Sequence, residues 1–205
     1  MDPIQKQINE LEHEVIGLRR EFHMFPELGF AEFETAVKIE HYLRNIGLTT
    51  KRVAGTGIVS VLDSGRPGPC LMLRADMDAL PIKEAGDLSY KSKNEGVMHA
   101  CGHDAHMAML LVASKVLKQN KDLSAGKIKF VFQPDEEVAG AVKMVKHGVL
   151  ENPKVDAVMG LHIWSLVPSG RVCISSGVVM GGLDVFKMKV KGKGGHTGYP
   201  HEAID

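Results

Sequence analysis

Apolar positions along this chain recur at two spacings, and the alternation between them predicts the elements. Ile4, Ile8, Leu11, Val15 and Leu18 repeat at helical intervals with charged residues between them, so an amphipathic helix is expected at the start. Pro26 and Gly29 interrupt that pattern. A second helix is expected over residues 34–46, where Val37, Ile39, Leu43 and Ile46 supply the buried stripe and Gly47 a C-terminal stop. Short apolar runs at 58–62 and 70–74, separated by a turn-rich stretch at 64–69, predict strands. A helix over 105–117, a strand over 127–132, a helix over 139–147 and a strand over 157–161 continue the series. Strands alternating with helices predict an α/β layered domain.

The pattern changes after residue 182. Phe186, Met188 and Val190 alternate with Lys187, Lys189 and Lys191, as in a strand with one wet face. A stretch rich in glycine and histidine follows at 192–201. Residues 1–182 are therefore expected to form one domain, and 183–205 to begin a second that the chain does not complete.

Composition narrows the function classes. Lysine plus arginine equals aspartate plus glutamate at 25 each, so no net field favours a polyanion. With no basic block carrying interleaved aromatics, nucleic-acid binding has no support. No apolar run approaches the roughly 20 residues that a membrane helix needs. Three cysteines and a polar amino terminus predict a cytoplasmic protein without a disulfide framework.

The ten histidines matter through their placement. Arg74-Ala75-Asp76-Met77-Asp78 and Gln133-Pro134-Asp135-Glu136-Glu137 each follow a predicted strand, and His162 closes a third. Ligands in open α/β sheets collect beyond the carboxyl ends of the strands. His99-Ala100-Cys101-Gly102-His103-Asp104 precedes a helix in the same manner. Taken singly, each cluster has a plain structural explanation. Asp76 and Asp78 fit turn or cap residues, Cys101 a small buried hydrophobe, the adjacent glutamates a solvated face, and His162 a core histidine. Together they supply a thiolate, two imidazoles and a carboxylate, a set suited to Zn²⁺ or a neighbouring transition metal. One carboxylate is left over for proton transfer.

These segments also carry a resemblance. Residues 22–30 (Phe-His-Met-Phe-Pro-Glu-Leu-Gly-Phe), 74–81, 98–104, 132–137, 160–162 and 192–196 resemble, in order, the amidohydrolase branch of the aminoacylase/carboxypeptidase superfamily of metallopeptidases. That branch includes hippurate hydrolases, auxin-conjugate hydrolases and N-acetyldiaminopimelate deacetylases. The resemblance implies a catalytic domain with a mixed, mostly parallel sheet flanked by helices, followed by the start of an inserted α+β lid that dimerises. It makes Cys101, His103, Glu137 and His162 ligands of two divalent ions, Zn, Mn, Co or Ni. Glu136 becomes the catalytic carboxylate, Asp78 a residue orienting a ligand, and His196 a substrate-polarising group on the lid. The implied substrate is an N-acyl amino acid or small peptide, and the implied assembly a homodimer. Members of the branch continue past the lid and return a further histidine ligand, so a truncated, inactive fragment is the first alternative. The second is a thiol hydrolase with Cys101 as nucleophile and His103 or His106 as its base.

Overall fold

A computed structural model describes residues 2–123, 125–182 and 184–204. Leu183 and Asp205, the ends of the expected second segment, lie outside the described residues. The chain divides into two compact units, Met1–Trp164 and Ser165–Asp205.

The first unit opens with α1 (Pro3–Glu10), α2 (Glu12–Met24) and α3 (Phe33–Asn45). The single amphipathic helix expected from residue 4 is thus divided at Leu11. Ile8 is largely exposed, whereas α2 buries Phe22 and His23. Strands β1 (Thr50–Val53), β2 (Gly57–Asp63) and β3 (Cys70–Asp76) follow. Then come α4 (His103–Gln119), β4 (Lys127–Gln133), α5 (Gly140–Lys146) and β5 (Ala157–Gly160). The strands form a five-stranded sheet in the order β1-β2-β4-β3-β5. β2 pairs antiparallel with both β1 and β4, while β3 runs parallel to β4 and to β5. Among the described strands β2 alone is reversed, so the sheet is mixed and mostly of one direction.

β4 is central and buried on both faces, as its alternation requires. Phe130 and Phe132 point into a cluster with Phe22, Ile39, Leu43, Ile58, Met107 and Leu111, which joins α2, α3 and α4 to one face. Val131 points the other way, toward Val53, Met72, Met144 and Val149 beneath α5. Lys129 shares that second face and is buried, with Nζ donating to the carbonyls of Val149, Glu151 and Pro153 at 2.7 to 2.9 Å. Each apolar face so covered removes surface from water at roughly 25 cal/mol per Å².

Register does the rest. Asp76 at the end of β3 pairs with Gln133 at the end of β4, and Arg74 with Gly160 at the end of β5. β3 and β4 therefore stop level and β5 two residues short of them, and the residues just beyond these three parallel strands emerge at a common rim.

In the second unit Lys193 and Ile204 form an isolated antiparallel bridge, and Pro200–Glu202 is one turn of 3-10 helix. The strand expected around Phe186, Met188 and Val190 has no ladder partner among the described residues, and those side chains are exposed. Alternation marks a sequence able to line a sheet face, but a strand also needs a neighbour to receive its backbone groups. No helix among the described residues is long and apolar enough to cross a membrane.

Candidate metal centre

The rim gathers side chains from β3, β4, β5 and the start of α4. Gly102 caps α4 with φ +88, a left-handed conformation that lets the chain turn sharply between Cys101 and His103. His103 occupies the first position of α4 and is fully buried. Its Nδ1 donates to the Asp78 carbonyl at 2.9 Å and lies 3.2 Å from Asp78 Oδ1. With Nδ1 so engaged, the free electron pair belongs to Nε2. That atom is buried and has no hydrogen-bond partner. It lies 3.7 Å from Asp76 Oδ1 and 3.8 Å from Glu136 Oε2.

His162 is oriented in a similar way. Its Nδ1 lies 2.5 Å from the Ile163 carbonyl, which turns Nε2 toward Cys101 Sγ at 3.4 Å. Two groups of donor atoms overlap at His103. Cys101, His103 and His162 form one, and His103, Glu136 and Glu137 the other, with the atoms of each group within 4.8 Å of one another. The structure therefore brings together Cys101, His103, Glu136, Glu137 and His162, and sets Asp78 behind His103. The Asp78 carboxylate also accepts the Glu137 amide at 3.1 Å.

Three residues at the rim take parts that the sequence did not assign to them. Asp76 Oδ1 accepts from His106 Nδ1 at 2.6 Å, and Asp76 Oδ2 from Arg74 Nη1 at 2.7 Å. His106 Nε2 in turn accepts the Ile163 amide at 3.0 Å. Arg74 Nη2 approaches Glu136 Oε1 at 4.0 Å. Asp76, His103 and His106 make a third possible ligand group, entirely buried. The available signal was the spacing of His103 and His106, three apart and so on one helix face. Asp76 read as a turn residue only because its partner is distant in sequence.

The electrostatics are those of a site short of positive charge. Burial pushes the Cys101 thiol up to about 12, reinforced by the charges of Glu137, Glu136 and Asp76. Burial would raise Asp76 as well, but the His106 hydrogen bond and the Arg74 charge outweigh it and hold the carboxyl at about 2. Asp78 is likewise held below its ordinary value, the donors His103 and the Glu137 and Glu136 amides overcoming burial. For His103, burial opposes protonation, yet the hydrogen bond to Asp78 and the surrounding carboxylates raise its affinity for a proton. A bare buried imidazole nitrogen beside sulfur and carboxylates fits a divalent cation of borderline softness.

His196 belongs to the second unit and is exposed. Its Nδ1 accepts the Gly198 amide at 3.0 Å, which in the neutral ring leaves the proton on Nε2.

The model of peptidase family M20/M25/M40 matches residues 72–202. Thermostable carboxypeptidase 1 of Saccharolobus solfataricus is 43% identical over 210 residues, covering 100% of this chain and 53% of that protein. N-acetyl-L-cysteine deacetylase of Bacillus subtilis is 44% identical over 200 residues, covering 97% of this chain and 48% of that protein. The crystal structure of a dinuclear metal binding peptidase of the M20 family from Bacillus subtilis superposes with a TM-score of 0.74 at 38% identity, over 78% of this chain and 45% of that one. The chain spans about half the length of the curated relatives it matches.

Proposed function

This chain belongs to peptidase family M20/M25/M40, and from that premise we propose that the protein carrying it is a divalent-metal-dependent hydrolase of amide bonds in N-acyl amino acids or small peptides. The observation that carries the reading is His103 Nε2, a buried nitrogen without a partner, on a residue common to three overlapping groups of possible ligands. The curated relatives point the same way in substrate: a carboxypeptidase and an N-acetyl-L-cysteine deacetylase both act on an amide beside an amino acid.

Cys101, His103, Glu137 and His162 would hold two divalent cations, in keeping with an M20 relative that is a dinuclear metal binding peptidase. Such cations polarise a scissile carbonyl and acidify the attacking water. Glu136 is the general base and then the general acid. Its side chain keeps 35% of its exposure, so water and substrate can reach it, and Oε2 faces the same nitrogen as the ligand set. It takes a proton from the attacking water at Oε2 and returns it to the amide nitrogen as the C–N bond breaks. The adjacent Glu137 serves better as a ligand, since Asp78 holds its amide against the rim. Asp78 also orients His103 through Nδ1, the kind of support that ligating histidines require. His196, which the family resemblance makes a substrate-polarising group, would donate to the carbonyl oxygen, where one donor is worth about 3 kcal/mol. Homodimer formation through the second unit belongs to the same reading.

A thiol mechanism is disfavoured. A nucleophilic cysteine needs a depressed pKa, and the surroundings of Cys101 drive it upward. The deciding experiment is hydrolysis of an N-acetyl amino acid by the full-length protein, before and after chelation and metal return. Loss on chelation with recovery on metal addition is expected. Activity that survives chelation and dies on alkylation would replace this reading with the thiol one.

A further inference from the structure

Residues 22–32 supply none of the proposed ligands, although they include one of the segments behind the family resemblance. Two of them, Gly29 and Glu32, meet instead the turn that carries Glu136. Glu32 is fully buried, and its carboxylate meets donors rather than a cation. Thr56 Oγ1 donates to Oε2 at 2.5 Å, and the Asp135 amide to Oε1 at 2.9 Å. Asp135 stands between β4 and Glu136 in a left-handed conformation, φ +49, which is uncommon outside glycine and which aspartate tolerates better than most residues. Its carbonyl in turn receives the amides of Val138, Ala139 and Gly140 at 3.4, 3.2 and 2.8 Å. Gly29 lies against the same turn so closely that a Cβ there would fall 2.0 Å from Asp135 Oδ1.

We propose that Glu32 is a positioning residue for Glu136, its buried carboxylate clamping the Asp135 amide and thereby fixing the left-handed turn that aims the Glu136–Glu137 pair. This rests on the reading of Glu136 as the general base. The amides on either side of Glu136 are then each received by a buried carboxylate, Asp135 by Glu32 and Glu137 by Asp78. A carboxylate suits the task because it only accepts, and takes the hydroxyl and the amide at once. Packing alone would be better served there by an apolar side chain, since burying a carboxylate away from any cation is costly. The position of a base matters steeply: misplacement by about 1 Å can cost 10²-fold in rate.

The test uses the full-length, metal-loaded protein. Glu32→Ala is expected to lower kcat about 10²-fold while KM and bound metal stay near parent values. Glu32→Gln keeps an acceptor for the Asp135 amide and is expected to restore kcat to within about tenfold of the parent. Amide exchange over residues 134–138 should accelerate about tenfold or more in Glu32→Ala, with the α2–α4 core unchanged. In a Glu136→Gln background, Glu32→Ala should cost less than about twofold further, since the residues act as a unit. Should Glu32→Ala not fold, Thr56→Val removes only the hydroxyl donor and is expected to lower kcat about fivefold in the same manner. Parent kcat in folded Glu32→Ala, or in Thr56→Val where that variant stands in, overturns the proposal, as does unchanged exchange in the turn. Full turnover by Glu136→Gln alone would also overturn it, by removing the base. The two failures are distinguishable, because the exchange measurement reports on the turn whichever residue is the base.

Discussion

His106 donates from Nδ1 to Asp76 at 2.6 Å and accepts the Ile163 amide at Nε2, so one imidazole ties the end of β3 to the segment that carries His162. The ionised Asp76 can only accept, and an amide can only donate, so the ring has a single compatible neutral tautomer. Its ring also lies 4.6 Å from that of His162, centroid to centroid. Substituting His106 by Ala frees the 162–163 segment, and metal affinity is expected to fall about 10- to 100-fold. Competition against a chromogenic chelator measures this directly, and parent affinity would assign His106 to packing alone.

Glu136→Gln separates proton transfer from ligation. The amide keeps the shape of the side chain but cannot take a proton from water. Turnover is expected to drop by about 10²- to 10⁴-fold with metal content unchanged. Elemental analysis beside a steady-state assay decides it, and a parallel loss of metal would make Glu136 a ligand instead.

Cys101 should be slow to alkylate in metal-free protein. A thiol raised to about 12 by burial and by Glu137 is almost wholly protonated at pH 8. Since the thiolate is the reactive form, modification is expected to run at least about tenfold slower than for a free peptide thiol. Mass spectrometry after timed exposure to iodoacetamide gives the rate. Cys101→Ala should in addition weaken metal retention, because the soft donor is gone.

Acid should destabilise the metal-free protein through Asp76. Its folded value of about 2 lies below the ordinary 3.8, so the unfolded chain binds the proton first as pH falls. The stabilisation is complete above 3.8 and is lost as pH drops through about 2, a contribution of about 2 kcal/mol. Asp76→Asn retains an acceptor for His106 without the titration. Its unfolding free energy is expected to change less between pH 4 and pH 2, as measured by urea titration at each pH. Equal slopes for the two proteins would place the acid sensitivity elsewhere.

Most of the elements were legible in the chain because burial imposes a period of 3.6 or 2 on neighbouring residues. Thus α3 and β4 lie within a residue or two of where their apolar positions predicted them. The candidate ligand types were legible too, since thiolate, imidazole and carboxylate at strand ends are few and chemically distinctive. The partnership of Asp76 with His106, 30 positions apart, was not, because nothing local in either residue refers to the other. Glu32 and Asp135, 103 apart, are the same case. The alternation at Phe186, Met188 and Val190 marks the reverse limit, a strand pattern that finds no neighbour to pair with among the described residues.

By itself, then, the sequence marked most of the helical and extended segments and the side chains whose chemistry suits a metal or a proton. Only the tertiary structure decided that β3, β4 and β5 run parallel and end within two residues of one another, so that their trailing residues meet. The reason is physical: periodicity records how each segment meets the core. Convergence depends on strand order and register between segments far apart in the chain.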